Sequence, residues 1–144
     1  MTLENLHAAW SIEGDIDFSQ PDLMLRQIPL LHHKWWQRYT DERLRYVALK
    51  QDHDKLKHQR FEWYTGRLDE DARKALGWEP QPLRLVRGEV DNYLAADALL
   101  LPKAALLEAA ELKLKFIEDV IKQVGQRSFL MKNWIDWQKF SQGS

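Results

Sequence analysis

Apolar residues recur at alternating steps of three and four in the last third of the chain. Leu107, Ala110, Leu114, Ile117, Ile121, Val124, Met131 and Ile135 hold the period, and only Ser128 interrupts it. This is a coiled-coil repeat, and it predicts one helix from about Lys103 to Phe140. Gly125 lies inside it, at a cost of about 1 kcal/mol relative to alanine. Leu106, Phe116, Val120 and Trp134 widen the apolar face beyond a two-helix seam. Nearer the start, Thr2 is an N-cap for a short helix over 3–10, with Leu3, Leu6 and Trp10 on one face. Gly14-Asp15-Ile16-Asp17 breaks it, and Ser19-Gln20-Pro21-Asp22 opens a second helix. That helix is expected to reach about Thr65, with Pro29 as a kink or restart and Gly66 as its C-cap. From Pro29 onward it would be a rod of roughly 55 Å at 1.5 Å per residue.

Residues 66–88 read as the least regular stretch, with Gly77-Trp78-Glu79-Pro80-Gln81-Pro82 as a turn-rich linker. A short helix follows from Gly88 to about Ala98, and Leu99-Leu100-Leu101-Pro102 is expected to stop it. The pattern predicts an all-α fold, with two long helices packed as a hairpin plus short helices. The 144 residues suit one domain, with N-terminal helices over 1–66, a linker and short helix over 67–102, and a C-terminal helix over 103–144. A hairpin covers one face of each long helix. The remaining apolar width predicts self-association.

Composition narrows the classes. There is no cysteine, so disulfides and thiolate chemistry are excluded. No signal-peptide pattern and no membrane-length apolar run is present, which predicts a soluble, cytoplasmic protein with no membrane partner. The net charge of -1 is unlike a generic nucleic-acid binder. Its distribution is more informative: residues 32–67 hold nine Lys or Arg against five Asp or Glu, and four of the five His. A polyanion would bind there.

Within that segment Arg43, Tyr46, Lys50, His53, Lys57, Arg60, Tyr64 and Arg67 again alternate steps of three and four, with Phe61 and Trp63 close by. A single nucleic-acid strand needs cations along its phosphates and flat side chains for its unpaired bases. The stripe supplies both. A solvated helix face, with Asp52, Asp54 and Glu62 pairing neighbouring cations, reads the same spacing without a ligand.

Other chemistry finds little support. His32 and His33 point apart on a helix, and His53 and His58 are off the spacing of a helical metal pair, so no metal site is expected. Asp69-Glu70-Asp71 reads as a solvated loop turn rather than an acid–base pair. Phosphate-loop, nucleophile-elbow, zinc-protease and dinucleotide motifs are absent, which points away from an enzyme and from any cofactor. Of the tryptophans, Trp10, Trp35, Trp134 and Trp137 are expected in core or interface, and Trp36, Trp63 and Trp78 have the best chance of exposure.

The segment Lys57-His58-Gln59-Arg60-Phe61-Glu62-Trp63-Tyr64-Thr65-Gly66-Arg67 resembles the basic-aromatic motif of the phage UvsY recombination mediators. Three further pieces resemble that family in the same order: Ile28 to Trp35, Val86 to Asp97, and Ile135 to Phe140. Together they span most of the chain. The resemblance implies a mediator of T4-like phages that binds single-stranded DNA, loosens the phage single-strand-binding protein and loads a RecA-like recombinase. It also implies a homo-oligomeric ring, hexamer or heptamer, built through the C-terminal helix. Here that maps onto Leu107, Leu114, Ile117, Ile121, Val124, Met131 and Ile135. The implied DNA contacts fall on Arg60 and on His58, where the family has lysine, and join the stripe's Lys50, Lys57, Trp63, Tyr64 and Arg67. Arg84, Arg87, Arg127 and Lys132 receive no role. The competing reading is a helical oligomeric protein–protein adaptor without nucleic-acid binding.

Overall fold

A computed structural model describes residues 1–143, which form six helices and no strand. Helix α1 spans Leu3–Glu13, and the Thr2 hydroxyl caps it by accepting the Asn5 N–H at 3.1 Å. Gly14 closes it, because a Cβ there would stand 2.6 Å from the Trp10 carbonyl oxygen and 2.9 Å from its ring. Helix α2 spans Pro21–Tyr64, with proline in the first turn.

The expected break at Pro29 does not occur, and α2 runs through it. Pro29 forfeits one ladder hydrogen bond. Its neighbours Ile28 and Leu31 pack against a buried cluster, and that burial offsets the loss. The helix ends as expected at Gly66, whose φ of 73° lets the Arg67 N–H reach back to the Glu62 carbonyl at 2.8 Å.

The linker is more ordered than its composition suggests. Helix α3 spans Glu70–Leu76, so Asp69-Glu70-Asp71 is a helix start and not a loop turn. Its carboxylates suit the positive end of the helix dipole. Helix α4 spans Arg87–Ala95. Helix α5 spans Leu100–Gly125, so Leu99-Leu100-Leu101-Pro102 starts a helix instead of stopping one. Asp97 explains the reversal, since its Oδ1 accepts the Leu99 and Leu100 N–H groups at 2.9 and 3.1 Å. The expected single C-terminal helix is divided after Gly125, and α6 spans Arg127–Ser141.

The helices pack as two compact units. The first joins Met1–Leu44 to the chain from Ala110 onward. Its core is Leu6, Trp35, Ile117, Val120 and Val124. Here α2 and α5 run antiparallel: Tyr39 donates to Glu118 at 3.4 Å, and further along α2 Glu42 accepts from Lys113 at 3.1 Å. Glu13 organises the polar side. It pairs with Lys34, accepts from the Trp35 indole at 2.9 Å, and bonds Arg38 at 3.0 Å. The second unit, Arg45–Ala109, has a core of Val90, Leu94 and Leu100, against which Leu56, Phe61, Tyr64 and Leu85 pack.

This packing uses most of the stripe assigned to other subunits. Leu107, Leu114, Ile117, Val124 and Met131 are buried within the chain itself, and Ile121 and Ile135 are half-buried. The apolar face of the C-terminal segment is the inner one. What α6 leaves outside is Phe129, Leu130, Trp137 and Phe140, at 64%, 40%, 61% and 82% exposure.

Candidate nucleic-acid interface

The basic-aromatic stripe divides along α2. Lys50, Lys57, His58 and Arg67 are exposed. Lys50 pairs with Asp54 at 3.3 Å and His58 with Glu62 at 3.0 Å, both one helical turn away. Lys57 and Arg67 make no ion pair among the described residues. Arg60 and Tyr64 instead turn inward toward α4. The Arg60 guanidinium donates through Nε to Asp97 Oδ2 at 2.8 Å, and the Tyr64 hydroxyl donates to the same oxygen at 2.6 Å.

Arg60 is therefore not the solvent-facing cation that its place on the stripe suggests. Its side chain is 11% exposed and that of Asp97 1%. Its guanidinium carbon lies 4.2 Å from the Trp63 ring centre and 4.7 Å from that of Trp78. Burial pushes the Asp97 carboxyl upward, but the hydrogen bonds from Tyr64, Arg60 and the Leu99 N–H outweigh it and hold the group below the usual aspartate range. Burial and the same carboxylate raise Tyr64 above an ordinary phenol.

Beside this cluster lies a groove of about 530 Å³ between the end of α2 and the chain that follows α3. Trp63, Tyr64, Thr65 and Gly66 form one wall, and Pro80, Gln81, Leu83, Arg84 and Leu85 face them. Both aromatic rings are fixed by their polar ends, because the Trp63 indole N–H donates to the Glu79 carbonyl at 2.7 Å and the Tyr64 hydroxyl is held by Asp97. Arg73 is committed to the frame, donating to the Trp78 carbonyl at 2.8 Å.

Among the described residues no cluster of His, Asp and Glu could hold a metal ion, and no helix is long and apolar enough to cross a membrane. Exposed cations thus flank an aromatic cluster in the segment with the resembling motif. A family model described as the recombination, repair and ssDNA-binding protein UvsY matches residues 9–144.

The chain belongs to the UvsY family.

The solved structures agree on the UvsY fold. One crystal structure of the bacteriophage T4 recombination mediator protein UvsY superposes with a TM-score of 0.84 at 21% identity, covering 97% of this chain and 99% of that one. A second crystal lattice of the same T4 protein gives 0.84 at 21% identity, with 99% of each chain covered. A third gives 0.80 at 19% identity, covering 95% of this chain and 98% of that one. No curated protein sequence matches the chain.

Within this UvsY-family chain, the motif's Arg60, Trp63 and Tyr64 come together in one cluster, while Lys50, Lys57, His58 and Arg67 stay apart on the surface. Reading along the chain missed Asp97, Gln81 and Arg84 as neighbours of the motif. Asp97 carried a signal, being a potential cap just ahead of Leu100. Gln81 and Arg84 carried none, since they stand in a Pro-rich stretch whose path only the fold determines.

Proposed function

We propose that this chain is a non-enzymatic recombination mediator. It binds single-stranded DNA at the end of α2, helps displace a single-strand-binding protein, and loads a RecA-like recombinase onto the strand. The observation that carries the reading is the Arg60–Trp63–Tyr64–Trp78 cluster with the exposed Lys57 and Arg67 beside it, in a member of an ssDNA-binding family. Lys50, Lys57, His58 and Arg67 meet phosphates. Trp63 and Tyr64 offer the ring surface that unpaired bases need. Arg60 acts from within the cluster, as the pillar on which the aromatic side chains stand.

We further propose that the subunits assemble as a closed ring of six or seven. Because five of the seven stripe residues are buried inside the chain, the contact falls to the outward face of α6, at Phe129, Trp137 and Phe140. A ring repeats the same modest cationic site around one assembly, and many weak phosphate interactions then add by avidity.

The test is a titration of fluorescent single-stranded oligonucleotide across salt concentrations, with duplex of the same length as the comparison. Tight binding that prefers the single strand and weakens steeply with salt is expected, because each neutralised phosphate releases counterions. A folded protein that binds neither strand at low salt removes the proposal. Sedimentation of Trp137→Ser/Phe140→Ser tests the ring, with smaller species expected.

A further inference from the structure

The groove beside the motif holds chemistry that phosphate binding does not use. Gln81 lines it, and the Gln81 Nε2 is buried without a hydrogen-bond partner. The orientation of this amide is set by its other end, since Oε1 accepts the Leu83 N–H at 3.3 Å. Flipping the amide would set donor against donor. A buried NH2 without an acceptor is costly, and a swing of the Gln81 side chain that brings it to an acceptor in the groove removes the cost. The remaining lining suits a flat, partly apolar group: Trp63, Tyr64, Pro80, Leu83 and Leu85 are carbon-rich. Arg84, which also lines the groove, is exposed and makes no ion pair among the described residues, so the groove carries a free cation. The volume of about 530 Å³ lies in the range of pockets that enclose small molecules.

We infer that this groove seats one unstacked base of the single strand, with the Gln81 amide donating to a base carbonyl or ring nitrogen and Arg84 taking a flanking phosphate. The inference rests on the single-stranded DNA reading above and adds a base-recognition element to it. A paired base cannot enter, since its edge is occupied and its faces are stacked. The groove is therefore a source of preference for single strands that cations alone do not supply.

The experiment compares a fluorescent oligothymidylate with a strand of equal length in which every base is absent. The two carry the same phosphates, so the electrostatic contribution cancels. The wild-type chain is expected to bind the thymidylate at least about fivefold more tightly, the fold-change that corresponds to ~1 kcal/mol of stacking. Leu83→Trp fills the groove from a half-exposed wall position without changing charge. It is expected to bring the ratio near one while leaving the affinity for the abasic strand unchanged. A ratio near one in the wild-type chain, or the same ratio in both chains, overturns the groove assignment and leaves the single-strand reading intact. Absence of binding to either strand at low salt overturns the function itself. Should circular dichroism show Leu83→Trp unfolded, Gln81→Met carries the test. It keeps the side-chain length and removes the donor, and an unchanged ratio in that variant overturns the assignment.

Discussion

Replacing Asp97 with alanine removes three things at once. Arg60 loses the carboxylate 2.8 Å from its Nε, the Tyr64 hydroxyl loses its acceptor at 2.6 Å, and the Leu99 and Leu100 N–H groups lose the cap at 2.9 and 3.1 Å. Breaking a buried ion pair by deleting one partner costs about 3–5 kcal/mol. Removing a helix cap costs ~1 kcal/mol. These are not additive, since one carboxylate serves all three roles. Arg60 also stays packed against Trp63 and Trp78 and keeps a sliver of solvent. We therefore expect Asp97→Ala to cost about 3 kcal/mol, toward the lower end of the buried-pair range. Asp97→Asn keeps an oxygen for the cap but sets an NH2 where Oδ2 accepted from Arg60 and Tyr64, so it should cost less than alanine only by the ~1 kcal/mol of the cap. Urea unfolding at neutral pH, followed by far-ultraviolet circular dichroism, reads both. The pH dependence adds a second check. Because the Asp97 carboxyl is held low in the folded chain, its contribution is complete above the unfolded value of about 3.9 and is lost as pH falls through the folded value. The gap between wild type and Asp97→Asn should narrow over that acid window. An Asp97→Ala cost below about 1 kcal/mol would refute the claim that the Asp97 carboxylate anchors Arg60.

Three further outcomes follow from the geometry. Lys57→Ala/Arg67→Ala should leave stability within about 0.5 kcal/mol, since both side chains are exposed, and reduce the slope of log affinity against log salt by roughly 0.7 for each phosphate no longer neutralised; fluorescence anisotropy at several salt concentrations measures it. Trp35→Ala should destabilise the chain by about 3–5 kcal/mol, because Trp35 is fully buried at the centre of the first core and its indole also holds Glu13, and thermal melting checks it. Burial raises the Glu13 and Glu42 carboxyls, but hydrogen bonds from Lys34 and Arg38 to Glu13, and from Lys113 to Glu42, hold both below the usual glutamate range. Their stabilisation is therefore present above the ordinary glutamate value and falls away below it, which Glu13→Gln/Glu42→Gln should remove from an acid-unfolding curve.

The periodicity along the chain was enough for the helical class, for the caps at Thr2 and Gly66, and for the place of the basic-aromatic motif at the end of the longest helix. These depend on local geometry: a hydroxyl within reach of one N–H, a residue free to adopt positive φ, and side chains repeating every three or four positions. Four matters depended on tertiary structure or on a cap that the apolar pattern does not show. Pro29 sits in an unbroken helix because Ile28 and Leu31, with Trp35 of the same helix, pack on core residues of α1 and α5. Leu99 to Pro102 starts a helix because Asp97 caps it. The heptad stripe from Leu107 to Met131 faces inward because earlier parts of the same chain cover it. A heptad repeat declares that a face will be buried but not by which partner. Arg60, finally, reads as a phosphate ligand from its spacing and becomes a pillar in the fold, since only tertiary packing brings Asp97 and Trp78 to it, 37 and 18 residues away along the sequence.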